Sequence, residues 1–374
     1  MAQPAPQQQP AIVVFDSGDM TPWQSAAAER GWRVIAPEMA AGTDIDSRVQ
    51  TIEKTIQEAI QNGSVDPARV WLAGRGEAVA AVFYTISRIP DLWAAAAAVG
   101  GSPQPAIDSG RLYAANFTNV PVLWISDAAN DSNTAEQLRS AGIPLERQQA
   151  ARATVGMILD WLGGHTRAAH SPSIDCETNA PVFASCYWIR MTRFDPAERN
   201  DVLASTRMAP ALQASLDLGN FGFKPEDPGP GVLVSYLPDK YSGRLKLGDR
   251  LMELDGHAIA DGKRFVEMMA QIVDERPATV MVQRGKDRIR IETKIVVPKR
   301  PPGVTARVQA QYTPQDKQLL VISRTVTEMR VTIPAEWIPA ELNWNGVVLE
   351  TVQAPGCRLL TVEKAIQKSG VCPP

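Results

Sequence analysis

The chain has 374 residues, 44% of them hydrophobic and 21% charged, with a formal net charge of −3. That length points to two or three domains, and the balance is ordinary for soluble globular protein. It excludes a basic footprint for nucleic acid, and the longest apolar stretches, such as 92–99, fall far short of a membrane span of about 20 residues.

The opening "MAQPAPQQQP" has neither a charged n-region nor an apolar h-region, so it is not an intact signal peptide. It reads as a disordered Pro/Gln-rich tail over 1–10, and its Ala-Gln start suits a mature end left by signal cleavage. From 11 to 168 strands and helices alternate. "AIVVF" and "WRVIAP" are strands around the helix-like "PWQSAAAERG", and Val49, Ile52, Ile56, Ala59 and Ile60 recur at helical spacing up to Gly63. "RVWLAG" is a buried strand, "EAVAAVFYTISRIP" a helix stopped by Pro90, and "LWAAAAAVGG" and "VPVLWIS" further strands. "TAEQLRSAG" and "ATVGMILDWLGG" are the last helices. Such alternation with near-continuous apolar strands predicts a doubly wound parallel sheet.

Past Pro172 the texture changes. Residues 169–215 hold "CYWIRMTRF" and "DVLASTRM", which alternate like half-buried strands. Residues 216–298 form a separate compact α+β pattern. From 299 to 374, "VTARVQAQY", "QLLVISR", "EMRVTIP", "LNWNG" and "VVLETV" read as a small all-β sandwich with a thin core. The 169–215 segment is a candidate part of that sandwich, with the middle module inserted; contact between Trp188 and residues after Val304 is the expected sign.

Four cysteines form two local pairs in the sequence, Cys176 with Cys186 and Cys357 with Cys372. Three connectivities are open to four cysteines. Neither spacing is C-x-x-C, and only three histidines occur, so no metal is expected. Two short-loop disulfides in a periplasmic or secreted protein are the preferred reading over four free thiols.

"WLAGRGEAVAA", residues 71–81, has the outline of a nucleophile elbow: an apolar strand end, a three-residue turn, then small residues opening a helix. With "DPARVWLAGRGEAVAAVFYTISRIPDLWAAAAAVGGSP" and "VPVLWISDAAND" around it, the first 150 or so residues resemble the α/β-hydrolase fold. The likeness is closest to the dienelactone-hydrolase and polyhydroxybutyrate-depolymerase-like esterases. It implies a Ser-Asp-His triad, and the letters depart from one. The degenerate elbow is Gly74, Arg75, Gly76 and Glu77, with Gly76 at the nucleophile position. The acid position falls on Asn130 or Asp131, and "IPLERQQAAR", where the family carries its histidine, has none. His165 and His170 follow the last helix, and the oxyanion loop reads Asp16-Ser17-Gly18. Arg75, Glu77, Asp16, Ser17 and Asp19 gather near strand ends, where a carboxylate can serve as nucleophile or base. The plainer readings are solvated turn residues, a surface histidine at 165 and a turn serine at Ser102.

The stretch "GPGVLVSYLPDKYSGRLKLGDRLMELDGHAIADGKRFVEMMAQIVDERPATVMVQRGKDRIRIETKI" resembles a bacterial PDZ domain over its whole length. Gly231, Val232, Leu233 and Val234 look like its carboxylate-binding loop and strand. Gly248, Asp249, Asp255 and Gly256 shape two turns, and Phe265, Met268 and Met269 sit on the helix beside the groove. Gly243-Arg244 stands where the family has small apolar residues. The resemblance implies capture of peptide or protein C-termini by strand addition, with an adaptable methionine pocket. Packing of Phe265 and Met269 into the core is the alternative.

The sequence therefore leads to an exported pseudo-hydrolase that binds proteins through its PDZ-like module, with no catalytic residue and no cofactor expected. Two other functions stand beside it. One is a secreted esterase or peptidase with a non-standard site; the other is a structural part of an envelope or surface assembly.

Overall fold

The structure is a computed structural model that describes residues 8–37, 44–127, 131–150, 153–200, 202–209, 214–272, 274–298 and 304–373. Of the expected N-terminal tail, 1–7 lie outside these residues, whereas Gln9 and Pro10 already belong to the first strand.

The first strands in chain order are β1 (Gln9–Phe15), β2 (Arg33–Ile35), β3 (Val65–Arg75), β4 (Ala95–Val99), β5 (Leu112–Tyr113), β6 (Val122–Ile125) and β7 (Leu145–Gln148). Between them run α1 (Thr21–Glu29), α2 (Ile45–Gln61), α3 (Val79–Arg88), α4 (Gln104–Asp108) and α5 (Asp131–Ser140), and α6 (Val155–Gly163) follows. Six strands form one sheet in the order β2-β1-β3-β4-β6-β7, every neighbour parallel. Both faces are covered. Val13 and Leu72 pack with Val49, Ile52 and Ile56 of α2 and with Val82 of α3. Ile12 and Trp71 face the other way, against Trp23 of α1 and Leu159 of α6. Two buried faces explain why these strands read as unbroken apolar runs. The Asp44 carboxylate accepts the Ser47 N–H at 3.1 Å and starts α2, and Thr154 accepts the Met157 N–H at 3.2 Å to start α6. This is the doubly wound parallel sheet expected from the alternating strands and helices.

Next come β8 (Ser173–Thr178), β9 (Ser185–Cys186), β10 (Ile189–Phe194) and β11 (Arg207–Met208). The middle of the chain supplies β12 (Ser215–Leu216), β13 (Val232–Leu233), β14 (Arg250–Leu254), β15 (His257–Ala258), α7 (Gly262–Ala270), β16 (Arg276–Arg284) and β17 (Asp287–Val296). The tail holds β18 (Ala306–Thr313), β19 (Gln318–Arg324), β20 (Val326–Ile333) and β21 (Ala340–Trp344). It ends with β22 (Val347–Val352), β23 (Gly356–Glu363) and β24 (Ile366–Val371).

Strands from both sides of the middle segment interleave into two five-stranded sheets, β24-β23-β20-β10-β9 and β22-β21-β19-β18-β8. Between them lie Trp188, Met329, Trp344 and Leu360. Trp337 stacks on Tyr312 at 4.8 Å and meets Trp188 edge-on at 5.1 Å. Of the alternating run 201–208, only Arg207–Met208 forms a strand among the described residues, and it pairs with β5 rather than with a tail strand. Two disulfides form, Cys176–Cys186 and Cys357–Cys372. The first ties β8 in one sheet to β9 in the other; the second clips the β23–β24 hairpin. Among the described residues no helix is long and apolar enough to cross a membrane.

Residues 1–209 and 304–374 make one compact unit and 210–303 another. Within the first, the parallel sheet and the two later sheets are fastened by buried polar contacts. The Asn116 side chain donates to the Glu177 carbonyl and accepts its N–H, and Arg88 donates to Asn179 at 2.9 Å. In the second, β12-β17-β16-β14-β13 form an antiparallel sheet over which α7 lays Phe265 and Met269.

Candidate functional site

The sheet order locates the first candidate. The chain leaves β1 toward β2 on one side and returns to β3 on the other, so the ends of β1 and β3 form the crevice where open α/β sheets bind ligands. Here β3 ends at Arg75, Gly76 takes a φ of +62°, and a 3₁₀ turn at Gly76–Ala78 leads into α3. Only glycine holds that conformation at low cost. Its neighbours are glycine for a different reason. A Cβ on Gly74 would stand 2.6 Å from Val82 Cγ2, and one on Gly101 would overlap the carbonyl oxygen of Gly76. At Gly76 itself an added Cβ meets nothing within 4 Å.

The rest of the crevice is a set of closed polar contacts. Asp16, its side chain 5% exposed, accepts the Gly18 N–H at 2.9 Å and the Trp23 indole N–H at 3.1 Å. Its Oδ2 lies 3.6 Å from Arg75 Nε, and the Arg75 guanidinium sits 5.8 Å from the Trp23 ring centre. A carboxylate and its own N–H partner thus fill the loop after β1. Glu77 is exposed, and Asp19 is held below the usual carboxylate range by its bonds to Thr21. Asp131 is buried as the first residue of α5, and Asn130 lies outside the described residues. Ser102 accepts the Gln104 N–H at 3.1 Å, as a turn residue does.

Neither histidine approaches the crevice. The His165 carbonyl accepts the Trp71 indole N–H at 3.0 Å, and two residues on, Arg167 bonds to Ala68. Ala68 precedes Gly76 by eight residues, about 26 Å along an extended strand. His170 pairs with Glu336 at 2.8 Å among the later sheets.

The second candidate is a groove of about 520 Å³ in the 210–303 unit. Its lining includes Leu216, Phe221, Phe223, Phe265, Val266 and Met269. The Phe223 and Phe265 rings meet edge-on at 5.5 Å. The N–H groups of Gly219, Asn220 and Phe221 donate to no acceptor among the described residues. Gly231, Val232, Leu233 and Val234, read from sequence as the carboxylate loop and strand, do not line this groove. Gly231 N–H is bonded to the Ile259 and Ala260 carbonyls, and a Cβ there would stand 2.5 Å from the Leu251 carbonyl oxygen. Val232 and Val234 are core residues, and Val234 N–H is bonded to Asp249. Met268 faces away, toward a cleft with His257 and Arg276, while Phe265 and Met269 serve both core and groove.

No family model matches the chain, and no curated protein matches it. Solved structures do. A thermostable esterase is 12% identical at a TM-score of 0.32, over 43% of this chain and 56% of that one. The esterase Est22 is 14% identical at 0.34, over 42% and 73%. Est1E from Butyrivibrio proteoclasticus is 10% identical at 0.32, over 42% and 87%. The chain thus spans just over half the length of the first of these. Sequence reasoning missed the Gly219–Phe223 stretch and Val266, and a signal was there: "GNFGF" alternates glycine and phenylalanine just ahead of the module's first strong strand.

Proposed function

We propose that this chain is an exported, non-hydrolytic α/β-hydrolase-like protein that works by binding peptide or protein C-termini through a PDZ-like module at 216–298. The observation that carries the non-hydrolytic reading is Gly76 at the tip of the turn, with the Asp16 carboxylate paired beside it. A hydrolase needs a nucleophile and a proton acceptor within hydrogen-bond reach, plus free donors for the developing oxyanion. The two disulfides support export into an oxidising compartment.

The test combines a fluorophosphonate probe with short p-nitrophenyl esters. Neither labelling nor turnover above buffer is expected, and Gly76→Ser should stay silent as well. That variant regains a hydroxyl but neither histidine nor oxyanion donors. Turnover by the natural protein overturns the reading.

Binding through the module is supported by the aromatic groove beside α7 and by the rim N–H groups that meet no acceptor among the described residues. Strand addition with carboxylate capture uses such donors. Peptides drawn from a C-terminal library should therefore lose at least about tenfold in affinity on amidation, as an ion–dipole contact worth about 1.4 kcal/mol requires. Equal affinity of acid and amide would sink the carboxylate role.

A further inference from the structure

The groove beside α7 is closed at one end. A Cβ on Gly262, the first residue of α7, would stand 2.7 Å from Pro225 Cα and 3.0 Å from the Lys224 and Pro225 carbonyl oxygens. The helix start rests directly on that segment. Pro225 has no N–H to offer a ladder, and Asp227 N–H turns back onto the Lys224 carbonyl at 3.1 Å. Gly222 N–H is already bonded to Tyr236. Between Gly222 and the proline only Phe223 and Lys224 remain as an edge, about 7 Å of extended chain.

The other end is open and differently furnished. Phe221, Phe223, Phe265, Val266 and Met269 make an apolar, largely aromatic wall. The N–H groups of Gly219, Asn220 and Phe221, which meet no acceptor among the described residues, complement a carboxylate, whereas the exposed Asp217 on the rim repels one.

Resting on the C-terminus reading above, we propose that this groove takes only the last two or three residues of a peptide, ending in a bulky apolar side chain. A longer extended ligand gains nothing from it. Ladder bonding needs N–H and C=O groups on alternate positions of the receiving edge. Since Gly222 bonds Tyr236 on the other side, those positions are Phe223 and then Pro225. Here that edge stops at Pro225, and the packed start of α7 turns the ligand out into solvent.

The test is calorimetric titration of the full chain with N-acetyl peptides of two, three, five and eight residues. Each ends in Leu, Phe, Met or Val with a free carboxylate. Affinity should be within about twofold between three and eight residues. Val266→Lys, at a half-exposed wall position, should weaken every length at least about fivefold with unchanged thermal stability. A tenfold gain from three to eight residues overturns the closed groove but leaves C-terminus binding standing. Full affinity in Val266→Lys places the ligand elsewhere and overturns the inference too. If no length binds, the C-terminus reading fails and takes this one with it.

Discussion

Gly101→Ala is expected to destabilise the protein by about 3 kcal/mol, although alanine is the smallest side chain that can replace glycine. The added Cβ would overlap the Gly76 carbonyl oxygen and press Val79 Cγ2 at 3.0 Å. A backbone oxygen cannot rotate away as a flexible side chain can. Relief requires the loop after β4 to move off the turn after β3. That movement strains the bond from the Trp124 indole to the Gly101 carbonyl, now 2.9 Å.

Gly76→Ala makes the informative contrast, because its Cβ has open space and only the left-handed backbone resists it. About 1 kcal/mol is the expected cost. Urea denaturation of both variants checks the order, and a larger loss in Gly76→Ala would show that the two loops are not packed as described. The comparison also separates two meanings of glycine at a turn. Gly101 is there for contact, and Gly76 for conformation. A serine Cβ at Gly76 would likewise meet no neighbouring atom and would carry only the cost of the left-handed backbone.

The parallel sheet was legible because its strands are buried on both faces, which leaves runs such as Val70–Ala73 with no polar interruption. The helix α2 was equally plain from Val49, Ile52, Ile56 and Ala59. The β23–β24 hairpin was not. Ile366 and Val371 are exposed on an edge strand while the polar Gln367 and Ser369 take its half-buried side, so "IQKSGV" shows no apolar face to read. Arg207–Met208 misled for another reason: a local pattern can mark a strand but cannot name its partner, here Leu112–Tyr113. At the candidate sites, the tight turn at Gly74–Glu77 could be read letter by letter. The Asp16–Arg75 pair could only be suspected from strand ends. Gly231 looked like a loop glycine since its acceptors, Ile259 and Ala260, lie far along the chain.

Glu177→Leu should cost more than any surface change, about 4 kcal/mol. The carboxylate is fully buried and accepts four hydrogen bonds of 2.5 to 2.8 Å: from the Ser205 hydroxyl, the Thr206 N–H and hydroxyl, and the Thr305 hydroxyl. Ser205 and Thr206 lie just before the chain leaves the first compact unit at 209, and Thr305 just after it returns at 304. One side chain therefore holds both stems of the inserted segment. Arg307 reinforces the entry stem, donating to the Ala204 carbonyl at 2.6 Å while its other nitrogens grip Asp175. In Glu177→Leu the hydroxyls can turn to other acceptors, but the Thr206 N–H cannot. Glu177→Gln keeps one oxygen for that N–H and should lose only about 1–2 kcal/mol. Thermal unfolding ranks the two variants, and limited proteolysis should cut near Arg207 faster in Glu177→Leu than in Glu177→Gln. Equal cleavage of both, with equal stability, would mean that the stems are held by the strand pairing of Arg207–Met208 and Ala306–Thr313 rather than by the buried carboxylate.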